Sequence, residues 1–175
     1  MKNLFLLFVI LGGAFYYWDR HAEYRPEWLL KLVADSGILN TSVSMDLDRD
    51  TDFSEQSLRR HFGHLYLSCD PQITKMGDRV CWTYISEFNG IPAEMIAFFF
   101  KNGHYNYLRV SFDLDYHHQV KSYLDQNHDF IGISAGSRDR FGQDLGMWKS
   151  RKGILSALLE APTAKPETLL TWLRR

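Results

Sequence analysis

The sequence lacks the features from which a functional class is most often read directly. Its 175 residues carry 20 Lys and Arg against 21 Asp and Glu, a formal net charge of −1. This balance offers no basic excess of the kind that nucleic acid attracts. The chain has no phosphate-binding Gly-Lys-Ser/Thr or Gly-x-Gly-x-x-Gly motif. Residues 132–136 have the letters Gly-x-Ser-x-Gly, but they lie in a glycine-rich segment expected to be an irregular loop, without the strand-to-helix turn that a nucleophile elbow needs. We therefore assign no residue a catalytic role from the sequence.

Cysteine is nearly absent, with two residues in the chain, Cys69 and Cys81. Two cysteines without a Cys-x-x-Cys spacing do not make a zinc centre. They bracket a short segment with Pro71 and the turn signal Gly77-Asp78. An even count in a chain with an export signal favours a disulfide in an oxidising compartment. Two separate buried thiols are the alternative.

Long apolar runs are missing except at the N-terminus. Residues 4–11 are all apolar and follow Lys2. A helix over residues 1–18 would rise about 27 Å, close to a hydrocarbon layer of about 30 Å. Tyr16, Tyr17 and Trp18 would then lie at the headgroup level, where aromatic belts form. We expect a retained anchor in the inner (cytoplasmic) membrane with the domain in the periplasm. The alternative is secretion to the periplasm after cleavage near Ala14.

The remainder divides into a connecting region and one domain. Residues 19–53 are expected to hold a short helix, with Pro26 at its start and Gly37 at its end, and a polar linker. Residues 54–175 are expected to form a single globular domain that begins with a helix capped near Ser54.

Two Asn-Gly pairs, Asn89-Gly90 and Asn102-Gly103, each lie between runs rich in β-forming residues. Asn-Gly favours two-residue hairpin turns. The pairs predict a three-stranded antiparallel meander over about 80–88, 91–101 and 104–114. Residues 116–127 are expected to be a helix, 132–146 an irregular loop and 166–175 a helix, with a strand as the alternative. The predicted fold class is α+β, an antiparallel sheet packed with helices.

The turns also predict which residues share a face of the sheet. Without a bulge, Leu108, Val110 and Phe112 lie on the core face with Trp82 and Phe99. The second face is then rich in aromatic residues. It is covered by the helix near 54–66, or it is a partner surface of the Tyr, Phe and Arg composition common at interfaces: Phe98, Phe100, Tyr105, Tyr107 and Arg109.

Metal-binding patterns are weak. His61 and His64 have the i, i+3 spacing that places two imidazoles on one helical face, but only His117 or His118 could add a third ligand. The alternating aspartates over residues 46–52 lack the glycine and glutamate of a calcium loop. We expect no metal and no cofactor.

The leading functional hypothesis is a non-enzymatic accessory domain, tethered to the membrane, that binds or positions a protein partner in the envelope. Nucleic acid is not an expected partner. Two alternatives stay open: a secreted metal-dependent hydrolase that uses His61 and His64, and a periplasmic binder of a small apolar ligand.

Overall fold

The protein is built mainly from β-strands in a computed structural model that describes residues 27–36, 41–50, 53–71, 73–138, 143–162 and 167–175. The helices are α1 (Glu27–Ser36), α2 (Glu55–His61) and α3 (His117–Asn127). The strands are β1 (Ser42–Val43), β2 (Ser68–Pro71), β3 (Arg79–Tyr84), β4 (Glu87–Phe88), β5 (Ile91–Pro92), β6 (Met95–Lys101), β7 (His104–Asp113), β8 (Asp129–Arg138), β9 (Asp144–Lys149), β10 (Gly153–Leu158) and β11 (Glu167–Arg174).

Eight strands form one sheet in the order β2-β3-β6-β7-β11-β10-β9-β8, with every neighbouring pair antiparallel. The C-terminal strand β11 lies between β7 and β10. Strands β1, β4 and β5 form a small second sheet in which β1 runs parallel to β4.

The predicted α+β class is wrong, because the sheet extends through segments that were expected to be loop or helix. Most of residues 132–146 belong to β8 and β9, and the C-terminal segment is β11. In β11 alternate side chains, Thr168, Leu170 and Trp172, are buried. Because β11 pairs with a strand on each side and buries every second side chain, the strand is more stable here than the helix that the local sequence favours.

Both predicted hairpin turns are confirmed. Asn89 and Asn102 have φ of 50° and 52°, and the glycines that follow have φ of 84° and 75°. Positive φ at both central residues is the type I′ geometry that matches the twist of two antiparallel strands.

A bulge in the second hairpin overturns the predicted faces. Phe100 pairs with Tyr105, whereas Phe99 pairs with Tyr107, so that Asn106 is the extra residue. Beyond the bulge Phe98 lies opposite Leu108, and a shift of one residue moves every following side chain to the other face. Phe98, Phe100 and Tyr105 therefore belong to the core.

One face of the sheet is covered by α2, α3 and the chain between β1 and α2. Leu58 of α2 and Val120 and Leu124 of α3 are buried in the same cluster as Met45 and Leu47. Cys69 and Cys81 lie directly opposite each other on β2 and β3 and form the predicted disulfide.

The predicted anchor lies outside the described residues, as do Tyr16, Tyr17 and Trp18. Within the described part of the chain, every helix is too short or too polar to cross a bilayer.

Candidate functional site: a groove on the open face of the sheet

The face opposite the core is only partly covered, and a groove runs across its first three long strands. Cross-strand pairing places Trp82, Ala97 and Arg109 in one row on β3, β6 and β7. The neighbouring rows contain Val80, Phe99 and Tyr107 on one side and Tyr84, Met95 and Ser111 on the other. Ala97 is the small residue in the middle of these larger side chains, so the surface is depressed there.

The groove has a volume of about 680 Å³ and two walls from outside the long strands. Glu27 of α1 forms one wall, and its Oε1 accepts a hydrogen bond of 2.7 Å from the Tyr84 hydroxyl. The other wall is β2 and the segment that joins it to β3, with Asp70 and Met76 among its residues.

The second wall is held against the sheet by two hydrogen bonds to or from its backbone. The Asp78 N–H donates to the carbonyl of Phe100 at 2.9 Å, and the side-chain amide of Asn106 donates to the carbonyl of Met76 at 2.8 Å. A Cβ at Gly77 would lie 2.3 Å from the Phe100 oxygen, so glycine is needed at this approach.

Three aromatic side chains, Trp82, Tyr84 and Phe99, line the groove, and Tyr107 lies opposite Phe99 on the same face. The rings of Trp82 and Tyr84 lie 5.9 Å apart with planes at 80°, and those of Phe99 and Tyr107 lie 5.3 Å apart at 71°. All four residues are partly exposed. Such edge-to-face pairs hold large apolar surfaces in fixed positions without removing them from solvent.

The charges around the groove are mainly acidic. Arg109 lies 3.7 Å from Glu167, which offsets its charge. Burial raises the pKa of Glu94, and the nearby carboxylates of Asp113 and Glu167 raise it further, against the opposing effect of Lys31. Burial also raises the pKa of Tyr107.

The structure separates the residues of the predicted partner surface. Tyr107 and Arg109 lie on the open face, whereas Phe98, Phe100 and Tyr105 are in the core and cannot contact a partner. Trp82 and Phe99, which the register without a bulge placed in the core, lie in the groove instead. The sequence carries no signal for the bulge, because the predicted strands over about 91–101 and 104–114 are of equal length.

The candidate metal ligands are not brought together. His61 packs its ring 5.2 Å from that of Phe53, and His64 Nε2 lies 3.0 Å from the Ser42 carbonyl. His117 is buried, with Nδ1 2.9 Å from the Thr168 hydroxyl.

Among the described residues, the one group with ligand atoms close enough for a metal is Glu55, Cys69 and Cys81. Both sulfurs are in the disulfide, and the Glu55 carboxylate accepts hydrogen bonds from Arg59 and Arg79. This group therefore lacks thiolates for a metal.

The aspartate run forms a turn. Asp46 accepts from the Asp48 backbone N–H at 2.9 Å, and Asp48 accepts from the Arg151 backbone N–H at 2.6 Å. Asp52 lies outside the described residues. Asp46 holds the backbone of its own turn, as aspartates in turns commonly do, and Asp48 ties this turn to the segment before β10.

Comparison with known proteins adds no function, since the chain matches no family model and no curated protein or solved structure is significantly similar to it.

Proposed function

We propose that this protein is a membrane-tethered, extracytoplasmic accessory domain that binds a protein partner in the envelope through the groove around Ala97. The observation that carries the proposal is the aromatic groove on a sheet face that the described residues leave half open. The opposite face packs its buried side chains against α2, α3 and the chain between β1 and α2.

Exposed apolar side chains lie on the two elements that form the walls of the groove. On α1, Trp28 is 64% exposed and Leu32 59%. On the segment between β2 and β3, Ile73 is 95% exposed and Met76 is also exposed. Large apolar residues gathered at one surface, with aromatic residues and an arginine at its centre, are typical of protein contact sites.

The position of α1 supports a partner at or near the membrane. If residues 1–18 form the anchor, residues 19–26 join it to Glu27 at the edge of the groove. Eight extended residues span at most roughly 28 Å. The groove would then stay within that distance of the bilayer, where it meets membrane proteins and their juxtamembrane segments.

The experiment that tests this proposal is site-specific photo-crosslinking of the full chain in native membranes. A benzophenone amino acid at Phe99 is expected to yield one discrete crosslinked protein. Ala97→Phe fills the depression from the open face without entering the core, and it is expected to abolish that product. The same photoreactive residue at Gln119, exposed on α3, is the control. A product that survives Ala97→Phe, or that also forms from Gln119, would contradict the proposal.

A small apolar ligand is the second candidate, because about 680 Å³ lies within the range of small-molecule sites. Native mass spectrometry of the gently extracted chain separates the two. A bound mass of a few hundred daltons that Ala97→Phe removes would favour the ligand. The histidine positions give the hydrolase alternative no support.

A further inference from the structure

We infer that the groove recognises a cationic side chain, an arginine or lysine, on the protein partner. This inference rests on the proposed function and specifies the chemistry of the contact. Three properties of the groove support it: its uncompensated charge, its aromatic walls and the depth left by Ala97.

The uncompensated charges in the groove are negative. Three charged residues line it, Glu27, Asp70 and Arg109. Arg109 lies 3.7 Å from Glu167, which offsets its charge. Neither Glu27 nor Asp70 has an ion-pair partner within the part of the chain that the structure describes. A positive group entering the groove would therefore be attracted, and a carboxylate would be repelled.

The aromatic walls suit the same occupant. The nearly perpendicular planes of Trp82 and Tyr84 form a corner beside Ala97, and Phe99 closes the adjacent row. Cations bind over the faces of such rings, tryptophan most strongly. Arginine and lysine also carry apolar stems, which fit against Met95 and Val80 while the charged end reaches Glu27 or Asp70.

The test uses methionine methyl NMR on the full chain in nanodiscs of phosphatidylglycerol and phosphatidylethanolamine, which contain no choline. The chain has five methionines. Met76 and Met95 line the groove, whereas Met45 is buried in the core and serves as an internal control. The probe is N-acetyl-arginine methylamide, and the matched neutral probe is the norleucine analogue.

We expect saturable shifts of the Met76 and Met95 methyl signals with the arginine probe at millimolar concentration. The Met45 signal and the norleucine titration should show none. The double variant Glu27→Gln, Asp70→Asn should weaken binding at least about fivefold. The double variant Asp129→Asn, Glu160→Gln changes two exposed carboxylates elsewhere by the same net charge and should leave binding unchanged.

Equal shifts with norleucine, an unchanged affinity in the Glu27→Gln, Asp70→Asn variant, or no shift at 50 mM arginine probe would each overturn the inference. Stronger binding of phosphocholine than of arginine would assign the groove to a lipid headgroup instead. If the arginine test fails while Ala97→Phe still abolishes the photo-crosslink from Phe99, the groove is a docking surface without a preference for a cation.

Discussion

Tyr105 places a hydroxyl group in the middle of an apolar core. Its ring stacks on Trp172 with centroids 5.1 Å apart and planes at 11°. The residue is fully buried, and its hydroxyl oxygen has no hydrogen-bond partner among the described residues. Burial holds the pKa of this phenol well above its usual value. A buried polar group without a partner costs stability.

Tyr105→Phe should therefore raise the free energy of unfolding by about 1 kcal/mol, since it removes the unpaired hydroxyl and keeps the stacked ring. Tyr123→Phe is the matched control, because the Tyr123 hydroxyl accepts a hydrogen bond of 2.9 Å from the Asn89 amide. That substitution should lower stability by a similar amount. Urea denaturation followed by tryptophan fluorescence measures both. A loss of stability in Tyr105→Phe would show that the hydroxyl has a partner.

His117 should make stability depend on pH. Burial lowers its pKa below the usual value of about 6.5, and burial also lowers the pKa of His128. Protonation of these histidines then favours the unfolded chain. Their contribution to the free energy of unfolding is therefore complete above about pH 6.5. It is lost as the pH falls below that value.

Unfolding free energies between pH 8 and pH 5 should be level at the upper end and should decline below about pH 6.5. His117→Gln should make the decline shallower. His118→Gln, an exposed neighbour on the same helix, should change it less, because the charge of His118 is a smaller cause of the lowered pKa of His117 than burial is. An equal effect of the two substitutions would contradict the role of burial at His117.

At the scale of elements, the bulge at Asn106 determines what the open face presents. It places Tyr107 and Arg109 on the same face as Ala97 and Phe99, and Leu108 on the core face opposite Phe98. The side-chain amide of Asn106 donates a hydrogen bond to the carbonyl of Met76. The bulge therefore also holds one wall of the groove against the sheet. Bulges often redirect side chains in this way.

The disulfide fastens the edge strand β2 to β3 across a sequence separation of 12 residues. Replacing both residues in Cys69→Ala, Cys81→Ala should lower the unfolding free energy by about 3 kcal/mol in the chain-entropy treatment of a loop of this size. Chemical denaturation of the variant, and of the wild type under reductant, should give similar losses. A variant as stable as the oxidised protein would show that packing alone holds β2 in place.

At the scale of the whole molecule, the two faces of one sheet have different roles. The covered face contains the buried aromatic residues and stabilises the fold, whereas the open face leaves Trp82, Tyr84 and Phe99 half exposed between α1 and the segment after β2. Because the main covering elements pack on the first face, changes in the groove should alter binding more than folding.

The proposed tether makes a prediction about the intact chain. Extraction from membranes without reductant should give a mass that includes residues 1–14 and is lighter by the pair of hydrogens that the disulfide removes. Intact mass spectrometry before and after reduction measures both. A chain that begins at Phe15 would instead indicate a cleaved leader and a domain released to the periplasm.

The sequence by itself determined the two hairpin turns and the disulfide partners. Glycine reaches positive φ because it has no Cβ, and asparagine tolerates positive φ because its short polar side chain can hydrogen-bond locally. Two cysteines have one possible pairing, so neither result requires distant contacts. The residues of the site were only partly predictable: Tyr107 and Arg109 reach the open face, but Phe98, Phe100 and Tyr105 do not.

The tertiary structure alone decided the rest. Strand β8 and the first residues of β9 form, and β11 is a strand instead of a helix, because neighbouring strands satisfy the backbone groups of these segments and bury alternate side chains. The Asn106 bulge depends on contacts between β6, β7 and the segment after β2. The groove forms because these long-range contacts determine which side chains face solvent.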